Sequence, residues 1–302
     1  MSSPFGSLLP YKKWAHRFGK LINLLPLRSG TVSGELPFTS HRLQNSYVIM
    51  QAIYEDNHLI VVNKESGEIV QGDKTGDRPL SEVVKDYLKA EHHKPGNVFL
   101  GVVHRLDRPV SGLVVFAKTS KALTRMNKMF ADGEVHKTYW AIVCNEQVIT
   151  NNEELASHRA FHQNTPLEEN SSYTRLTHWL VRNERQNKSY AYDHEVRGSK
   201  KAVLDYRVLR RGDRYSLVEV RLLTGRHHQI RCQLAAAGMV IRGDLKYGAP
   251  RSNADGSISL LSRHVEFQHP VSKAVISLDA PLPKDGLWEK LGGIAAQIAR
   301  LT

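Results

Sequence analysis

The chain of 302 residues has little of what marks several large classes of protein. Its two cysteines, Cys144 and Cys232, are too few for a disulfide framework or a four-ligand zinc site. Its apolar runs are all far shorter than the roughly 20 residues that a membrane-spanning helix needs. It also lacks a glycine-rich nucleotide-binding fingerprint. These absences exclude a disulfide scaffold and a membrane span.

Acidic residues are scarce relative to basic ones. The 42 Lys and Arg outnumber the 30 Asp and Glu, which leaves a formal net charge of +12 and a pI near 9.7. This excess favours a polyanionic partner such as nucleic acid. Hydrophobic residues make up 41% and charged residues 24%, as in globular rather than disordered chains. We therefore expect a basic, soluble, cytoplasmic protein.

Residues 1–47 differ from the rest of the chain, because six Lys and Arg stand there against one acid, Glu35. This leader has three interpretations: an organellar transit peptide, a basic arm that touches RNA, or upstream sequence read from a mistaken start codon. We expect residues 1–47 to be poorly ordered, 48–283 to form the main domain, and 284–302 to form a C-terminal helical tail.

From residue 48 onward the hydrophobic spacing predicts short strands interrupted by single helices. Strands are predicted at 48–54, 59–63, 113–117, 138–143, 203–209 and 215–222, with two closing strands near 265–267 and 275–278. Helices are predicted at 80–88, after Thr119, at 228–237 and after Pro283, whereas the polar segment Asn145–Ser172 is predicted to be a loop. Regular βαβ alternation is absent, so the fold class is α+β, with a mainly antiparallel mixed sheet flanked by helices and loops.

One acid between two arginines marks the most informative segment, Gly101–Lys118. Asp107 stands between Arg105 and Arg108, and in an extended stretch Arg105 and Asp107 share a face. Such cationic neighbours favour the ionised carboxylate, which can serve as a nucleophile or a base. The plain alternative is that Asp107 only pairs with an arginine to stabilise a turn.

A second polar segment, Leu222–Leu234, predicts a helix that carries His228 and Arg231. A helix N-terminus with nearby arginine and amide groups suits an anionic ligand. His227 and His228 are adjacent, but neighbouring helical side chains point about 100° apart. Since no nearby carboxylate or cysteine completes a ligand set, we predict no metal site.

A third segment, His136–Val143, places Tyr139 and Trp140 on opposite faces of a strand. One ring is expected in the core and the other at a cleft, where it can stack on a nucleotide base. Simple packing is the alternative for both. A fourth segment, Arg242–Gly248, contains a glycine-flanked turn that lines a site or joins two elements.

Together these segments resemble the RluA family of RNA pseudouridine synthases. His104–Leu113 matches the motif around the catalytic aspartate of that family, which implies this role for Asp107. Thr224–Arg231 matches the motif whose last arginine pairs with the aspartate. Two departures are His227, where the family more often has Ser or Thr, and Leu261-Ser262, which replaces a frequent His-Ala.

Two further motifs concern the target base. Lys137–Tyr139 matches the motif whose tyrosine ring stacks on the base, and Ile241–Gly248 matches the segment that places an apolar residue, here Ile241, against it. The resemblance also implies that Arg105 helps to displace the target nucleotide or binds a flanking phosphate. Two groups of basic residues, within 118–137 and 188–201, are expected to hold the RNA backbone.

The resemblance covers about Ile49–Pro283 and implies an isomerase whose catalytic domain spans 48–283. Pseudouridine formation flips a uridine out of its stack, breaks the N1–C1′ bond, rotates the base and rejoins it through C5. No redox change or external group is involved, so no cofactor and no metal are expected. The implied partner is ribosomal or transfer RNA, with a slight preference for ribosomal RNA. We expect a monomer with no membrane contact and no obligate protein partner.

Whether Asp107 attacks a sugar or base carbon or removes a sugar proton stays open. Two other functions also stay open. One is a catalytically inert RNA-binding or assembly factor. The other is a glycosidic-bond hydrolase, which needs a second acid near Asp107, with Asp132, Glu134 and Asp244 as candidates.

Overall fold

The computed structural model describes residues 50–145 and 172–298. The leader and nearly all of the predicted loop at 145–172 lie outside these residues. Within the two described stretches, eleven strands form one sheet and four α-helices accompany it. No helix in this part of the chain is both long and apolar enough to cross a membrane.

The strands are β1 (Gln51–Glu55), β2 (Leu59–Lys64), β3 (Gly101–Val102), β4 (Ser111–Ala117), β5 (His136–Cys144), β6 (Thr174–Asn183), β7 (Lys188–Tyr192), β8 (Lys200–Arg211), β9 (Tyr215–Leu222), β10 (Leu260–Gln268) and β11 (Val275–Asp279). The helices are α1 (Leu80–Glu91), α2 (Ser120–Asp132), α3 (Gln229–Ala236) and α4 (Gly286–Ile298), with a short 3-10 helix at Leu245–Tyr247.

The sheet is mixed and mainly antiparallel. Its order is β1-β2-β4-β10-β5-β9-β8-β6-β7, with β3 paired to β4 and β11 paired to β10. Among the described strands, only β4 and β10 pair in parallel, with Ser111 opposite Leu261 and Gly112 opposite Ser262. The predicted α+β fold class is confirmed.

Helices cover both faces of the sheet. Successive strand residues point to opposite sides, so the buried strands present apolar side chains to both faces. On one face, α1 and α3 pack against a buried apolar cluster that includes Tyr139 and Ile241. On the other, α2 and α4 pack against a second cluster that includes Trp140 and Trp288. Tyr139 and Trp140 therefore point to opposite faces, as predicted. The expected cleft at one of them is not seen, since Tyr139 is 6% exposed and Trp140 4% exposed.

The predicted signals at the ends and faces of the helices are present. The Thr119 side chain accepts a hydrogen bond from the Ala122 N–H at the start of α2, and Gly133 ends that helix with φ at +77°. In α1, Leu80, Val84 and Leu88 form the fully buried stripe that their spacing predicts. In the C-terminal helix α4, by contrast, Ile294 is exposed.

The strands β6 and β7 were missed by the sequence analysis. The alternation in β6 is disguised, because the inward-facing residues are Leu176, His178 and Leu180. His178 is tolerated inside because its Nδ1 lies 3.1 Å from the side-chain nitrogen of Gln233 in α3. Only the folded chain supplies that partner, so the histidine reads as a solvent-facing residue in the sequence.

A close backbone approach at Gly112 positions the strands beneath the site. Its φ is +111°, and a Cβ at this position would lie 2.4 Å from the carbonyl oxygen of Ser262. Only glycine permits this contact. Ser262 in turn lies opposite Tyr139 in the β10–β5 register. Ser262 of β10 is thereby set between the start of β4 and Tyr139 of β5, the predicted base-stacking ring.

Candidate active site

The loop that carries Asp107 joins β3 to β4 and is tied to the protein through its own backbone. The Gly67 N–H donates to the Arg108 carbonyl at 2.9 Å, and the Ile258 N–H donates to the Pro109 carbonyl at 3.1 Å. The Val110 N–H closes the turn on the Asp107 carbonyl at 3.0 Å. A side chain on a backbone held from both sides is well placed for chemistry.

Lys64 supports the same loop from beneath and was singled out by no sequence argument. It is fully buried, and its ammonium donates to the carbonyls of Glu65, Arg108 and Val110 at 2.9, 3.1 and 2.6 Å. Burial lowers the pKa of Lys64 to about 8, although nearby acids, including Asp107, oppose this shift. A lysine at the end of a strand gives no sign in the sequence that it will turn inward.

Arg231 of α3 is the second predicted site residue, and it contacts Asp107. Its Nη1 donates to Asp107 Oδ2 at 3.1 Å, across 124 positions of sequence. Its Nε and Nη2 donate to the two oxygens of Asp244 at 2.7 and 2.8 Å. Burial alone would lower the pKa of Arg231, but the bonds and charges of Asp244 and Asp107 outweigh burial and raise it.

Asp244, Arg231 and Asp107 form two successive ion pairs that run from the buried Asp244 to the partly exposed Asp107. Asp244 is 1% exposed and Arg231 6%, whereas the Asp107 side chain is 30% exposed. The arginine is thus oriented by a buried carboxylate and presents its remaining nitrogen to an accessible one. Sequence reasoning considered Asp244 only as a second acid for hydrolysis. Because Arg231 occupies both its oxygens, Asp244 is a positioning residue here.

Among the described residues, neither arginine next to Asp107 in the sequence forms an ion pair with it. Arg108 pairs with Asp77 at 2.6 Å. Arg105 is exposed and makes no ion pair within the described part of the chain. The cation that contacts Asp107 is Arg231, because the loop does not continue as the extended strand that the prediction assumed.

Tyr139 and Ile241 lie in the same buried apolar cluster below Asp107. Burial raises the pKa of Tyr139 to about 12, with the charge of Asp107 adding to the shift and the nearby side chain of Ser262 opposing it. Ile241 is held against β5 through an isolated bridge to Val143. Ser262, which departs from the usual family residue, thus contacts a predicted site residue directly.

Part of the basic charge predicted for the RNA backbone is committed to the protein itself. Lys118 pairs with Glu55 and its side chain is 7% exposed. Arg125 donates to the carbonyl of Pro270 at 3.1 Å. Lys200 and Lys201, from the second group, are exposed.

In residues 50–145 and 172–298, no three His, Cys, Asp or Glu side chains are grouped as metal ligands.

His104 connects the loop that carries Asp107 to β4. Its Nε2 accepts a hydrogen bond from the Val115 N–H at 3.0 Å, and its ring stacks on Phe130 with 5.0 Å between centroids. Burial, reinforced by the charge of Lys137, lowers the pKa of His104 from 6.5 to about 3. The accepting nitrogen requires the neutral ring, so protonation opposes folding.

This histidine should make the protein less stable in acid. Below pH 6.5 the unfolded chain binds a proton at His104, whereas the folded chain does not until about pH 3. The free energy of unfolding therefore loses about 1.4 kcal/mol per pH unit from this residue as the pH falls through that window. His104→Gln keeps a hydrogen-bond acceptor but cannot be protonated. Its free energy of unfolding, measured with urea between pH 6.5 and 4.5, should therefore fall with a shallower slope against pH than that of wild type. The exposed His136→Gln is the control, and equal slopes for His104→Gln and wild type would refute the assignment.

Two solved human structures are similar to this chain. The human protein described as RNA pseudouridylate synthase domain containing 4 matches 78% of this chain and 89% of its own, with a TM-score of 0.58 and 22% identity. Human RNA pseudouridylate synthase domain containing 1 matches 80% and 86%, with a TM-score of 0.55 and 21% identity. At these identities the likeness shows the fold, which is that of pseudouridine synthases.

Sequence comparison adds the family. Residues 58–236, more than half of the chain, match the family model described as RNA pseudouridylate synthase. A Zymomonas mobilis protein named ribosomal large subunit pseudouridine synthase D is 31% identical over 265 residues, which cover 84% of this chain and 76% of that protein. A Pasteurella multocida protein of the same name is 28% identical over 260 residues, covering 81% and 71%. The chain belongs to the RluA family of RNA pseudouridine synthases, isomerases that act on uridines in RNA.

Proposed function

We propose that this isomerase modifies uridines of large-subunit ribosomal RNA, and that Asp107 is its catalytic residue. The observation that carries the proposal is the accessible Asp107 carboxylate at the end of the buried chain Asp244–Arg231. A carboxylate oriented in this way can act as a nucleophile or as a base. The ribosomal substrate is favoured because the relatives from Zymomonas mobilis and Pasteurella multocida are named for the large ribosomal subunit.

The reaction conserves the atoms of the nucleotide apart from exchange of a proton with water. The N1–C1′ bond breaks, the uracil rotates, and a C5–C1′ bond forms. The C5 hydrogen then leaves as a proton, while N1 gains one. Asp107 attacks a sugar or base carbon, or removes a sugar proton, to begin this sequence. Arg231 fixes the position of the carboxylate throughout, because its other nitrogens stay bound to Asp244.

Tyr139 and Ile241 form the apolar floor against which the detached uracil is held. Extruding a uridine costs a few kcal/mol of lost stacking and pairing, which ring and apolar contacts in the site must offset. Since Tyr139 and Ile241 are 6% and 1% exposed, neighbouring side chains must shift when a base enters. Arg105 is exposed beside the loop, where it can contact a flanking phosphate or take the place of the flipped nucleotide.

The protein acts in the cytoplasm as a monomer in this proposal. The monomer is supported by the origin of the site, because Asp107, Arg231, Asp244 and Tyr139 all come from one chain. The net charge of +12 supplies attraction to RNA without a separate partner.

The test is modification of unmodified RNA by the purified full chain. Transcripts of large-subunit ribosomal RNA and of transfer RNA are incubated with the protein, and pseudouridine is mapped by reverse-transcription stops after carbodiimide treatment. New stops in the ribosomal transcript are expected, with no free uracil. Stops in transfer RNA alone would refute the ribosomal assignment. Release of uracil would indicate a hydrolase, and binding without stops would indicate an inert RNA-binding factor.

A further inference from the structure

His228 lies against Asp107, although the mechanism above gives it no task. Its Nε2 is 3.5 Å from Asp107 Oδ2, the oxygen that also accepts from Arg231 at 3.1 Å. Asp107 Oδ1 has no hydrogen bond or ion pair with any residue in the described stretches. The two oxygens of the carboxylate are therefore inequivalent, with one held by the protein and the other open.

The opposite nitrogen of the His228 ring faces Tyr247. The Tyr247 hydroxyl oxygen accepts a hydrogen bond from the Ser189 N–H at 2.9 Å and lies 3.0 Å from His228 Nδ1. Since a backbone N–H can only donate, it occupies a lone pair of the hydroxyl and leaves the phenolic proton free for Nδ1. Among the described residues, Nδ1 is the only acceptor within hydrogen-bond distance of that proton. His228 Nδ1 therefore accepts from Tyr247, and in a neutral ring the proton then sits on Nε2, which faces Asp107.

The surroundings of the ring favour this neutral form. His228 is 8% exposed and stacks on His227 with 3.8 Å between ring centroids. Burial lowers the pKa of His228 to about 2, and the charges of Arg231, Lys246 and Arg182 act in the same direction. A neutral histidine with one fixed proton is a hydrogen-bond donor of defined direction, unlike an imidazolium that could donate on both sides.

We infer that His228 is a positioning residue that donates from Nε2 to Asp107 Oδ2 in a tautomer set by Tyr247, leaving Oδ1 as the oxygen that reacts. The inference rests on the proposed role of Asp107. The distance of 3.5 Å is long for a hydrogen bond, but such contacts often tighten when substrate binds. Arg231 and His228 then hold one oxygen from two directions, which fixes the rotation of the carboxylate.

The tautomer can be measured directly in the full chain without any RNA. Two-dimensional NMR that correlates ring nitrogens with carbon-bound protons distinguishes a protonated Nε2 from a protonated Nδ1, and His228→Gln identifies the signal. At pH 7 wild type should show the tautomer with the proton on Nε2. Tyr247→Phe removes the donor to Nδ1 and should shift the population towards a protonated Nδ1. A charged ring or a protonated Nδ1 in wild type would overturn the inference.

Kinetics then separate positioning from folding. His228→Leu removes the donor and should lower kcat at least about tenfold, the effect of losing one hydrogen bond to a charged group, with KM little changed. His228→Gln retains an N–H donor and should recover part of the lost kcat. Tyr190→Phe is the control matched to Tyr247→Phe, because it removes the hydroxyl of a tyrosine next to Ser189 that bonds to Gln186 instead of His228. Its kcat should equal that of wild type.

The positioning role of His228 and the isomerase function can be refuted separately. If His228→Leu is folded, as judged by thermal unfolding, and has the kcat of wild type, the positioning role is wrong while the isomerase function stands. If His228→Leu does not fold, Tyr247→Phe carries the comparison, and a wild-type kcat in that variant would have the same meaning. If Asp107 itself proves dispensable, the proposed mechanism fails whatever the tautomer of His228.

Discussion

Asp107→Asn should lose isomerase activity by at least about a thousandfold, the scale seen when an enzyme loses a residue on which bond making depends. Asn has nearly the same shape and can still accept from Arg231, so the loop and the arginine should keep their places. It has no negative charge, however, and is neither a nucleophile nor a base of useful strength. The measurement is release of tritium from RNA labelled at C5 of uridine, because that hydrogen leaves when the new bond forms.

Binding of RNA by this variant should be close to that of wild type in a filter-binding assay, since the positive surface is unchanged. Asp77→Asn is the matched control. It removes a carboxylate paired with Arg108 in the same region, but this exposed pair does not contact Asp107. Activity of Asp77→Asn near the wild-type level is expected. More than about one hundredth of wild-type activity in Asp107→Asn would contradict an essential aspartate.

The second large effect is expected from Arg231→Met. Asp244 is 1% exposed and its two oxygens are bound by Arg231, so the substitution leaves a buried carboxylate without its cation. Breaking a buried pair in this way costs roughly 3–5 kcal/mol. Urea unfolding should show this loss as a lower midpoint, and the variant should also be inactive because Asp107 is no longer oriented.

Two further variants separate the contributions of charge and geometry. Arg175→Met breaks an Arg–Asp pair of the same two-bond geometry, with nitrogen–oxygen distances of 2.7 and 2.9 Å, but at an exposed arginine. Its effect on stability should be much smaller. The double variant Arg231→Met, Asp244→Leu removes both buried charges and should recover much of the stability while remaining inactive. A double variant with full activity would show that Arg231 does not orient Asp107.

Much of the fold could be predicted from local sequence patterns. Thr119 and Gly133 predicted both ends of α2, and the spacing of Leu80, Val84 and Leu88 predicted α1, because capping and amphipathic periodicity depend on neighbours within a few residues. The strand β6 could not be predicted from the same rules. Its inward His178 depends on Gln233, and the two residues are 55 positions apart.

The candidate site could likewise be predicted only in part from the sequence. The motifs marked Asp107, Tyr139, Arg231 and Ile241, and the structure places Arg231 on Asp107 and the other two in the apolar cluster below. Arg105 is exposed and forms no ion pair with Asp107 in the described part of the chain. Its assigned role at the RNA stays a prediction.

The partners of those residues came from the tertiary structure. From the sequence Asp244 is only a candidate acid for hydrolysis, and neither Lys64 nor Tyr247 has a predicted role. Each acts through a side chain distant in sequence, as when Lys64 binds carbonyls 44 and 46 positions away.

The sequence by itself determined the class of protein: its motifs identify an RNA pseudouridine synthase, and its spacing predicts an α+β fold. Both depend on residue type and local order, which can be read along the chain. Only the tertiary structure decided what holds Arg231 in place, that neither Arg105 nor Arg108 pairs with Asp107, and which oxygen of the carboxylate is left open. Hydrogen bonds have a range of about 3 Å and a direction, so they are specified only once distant segments have been brought together.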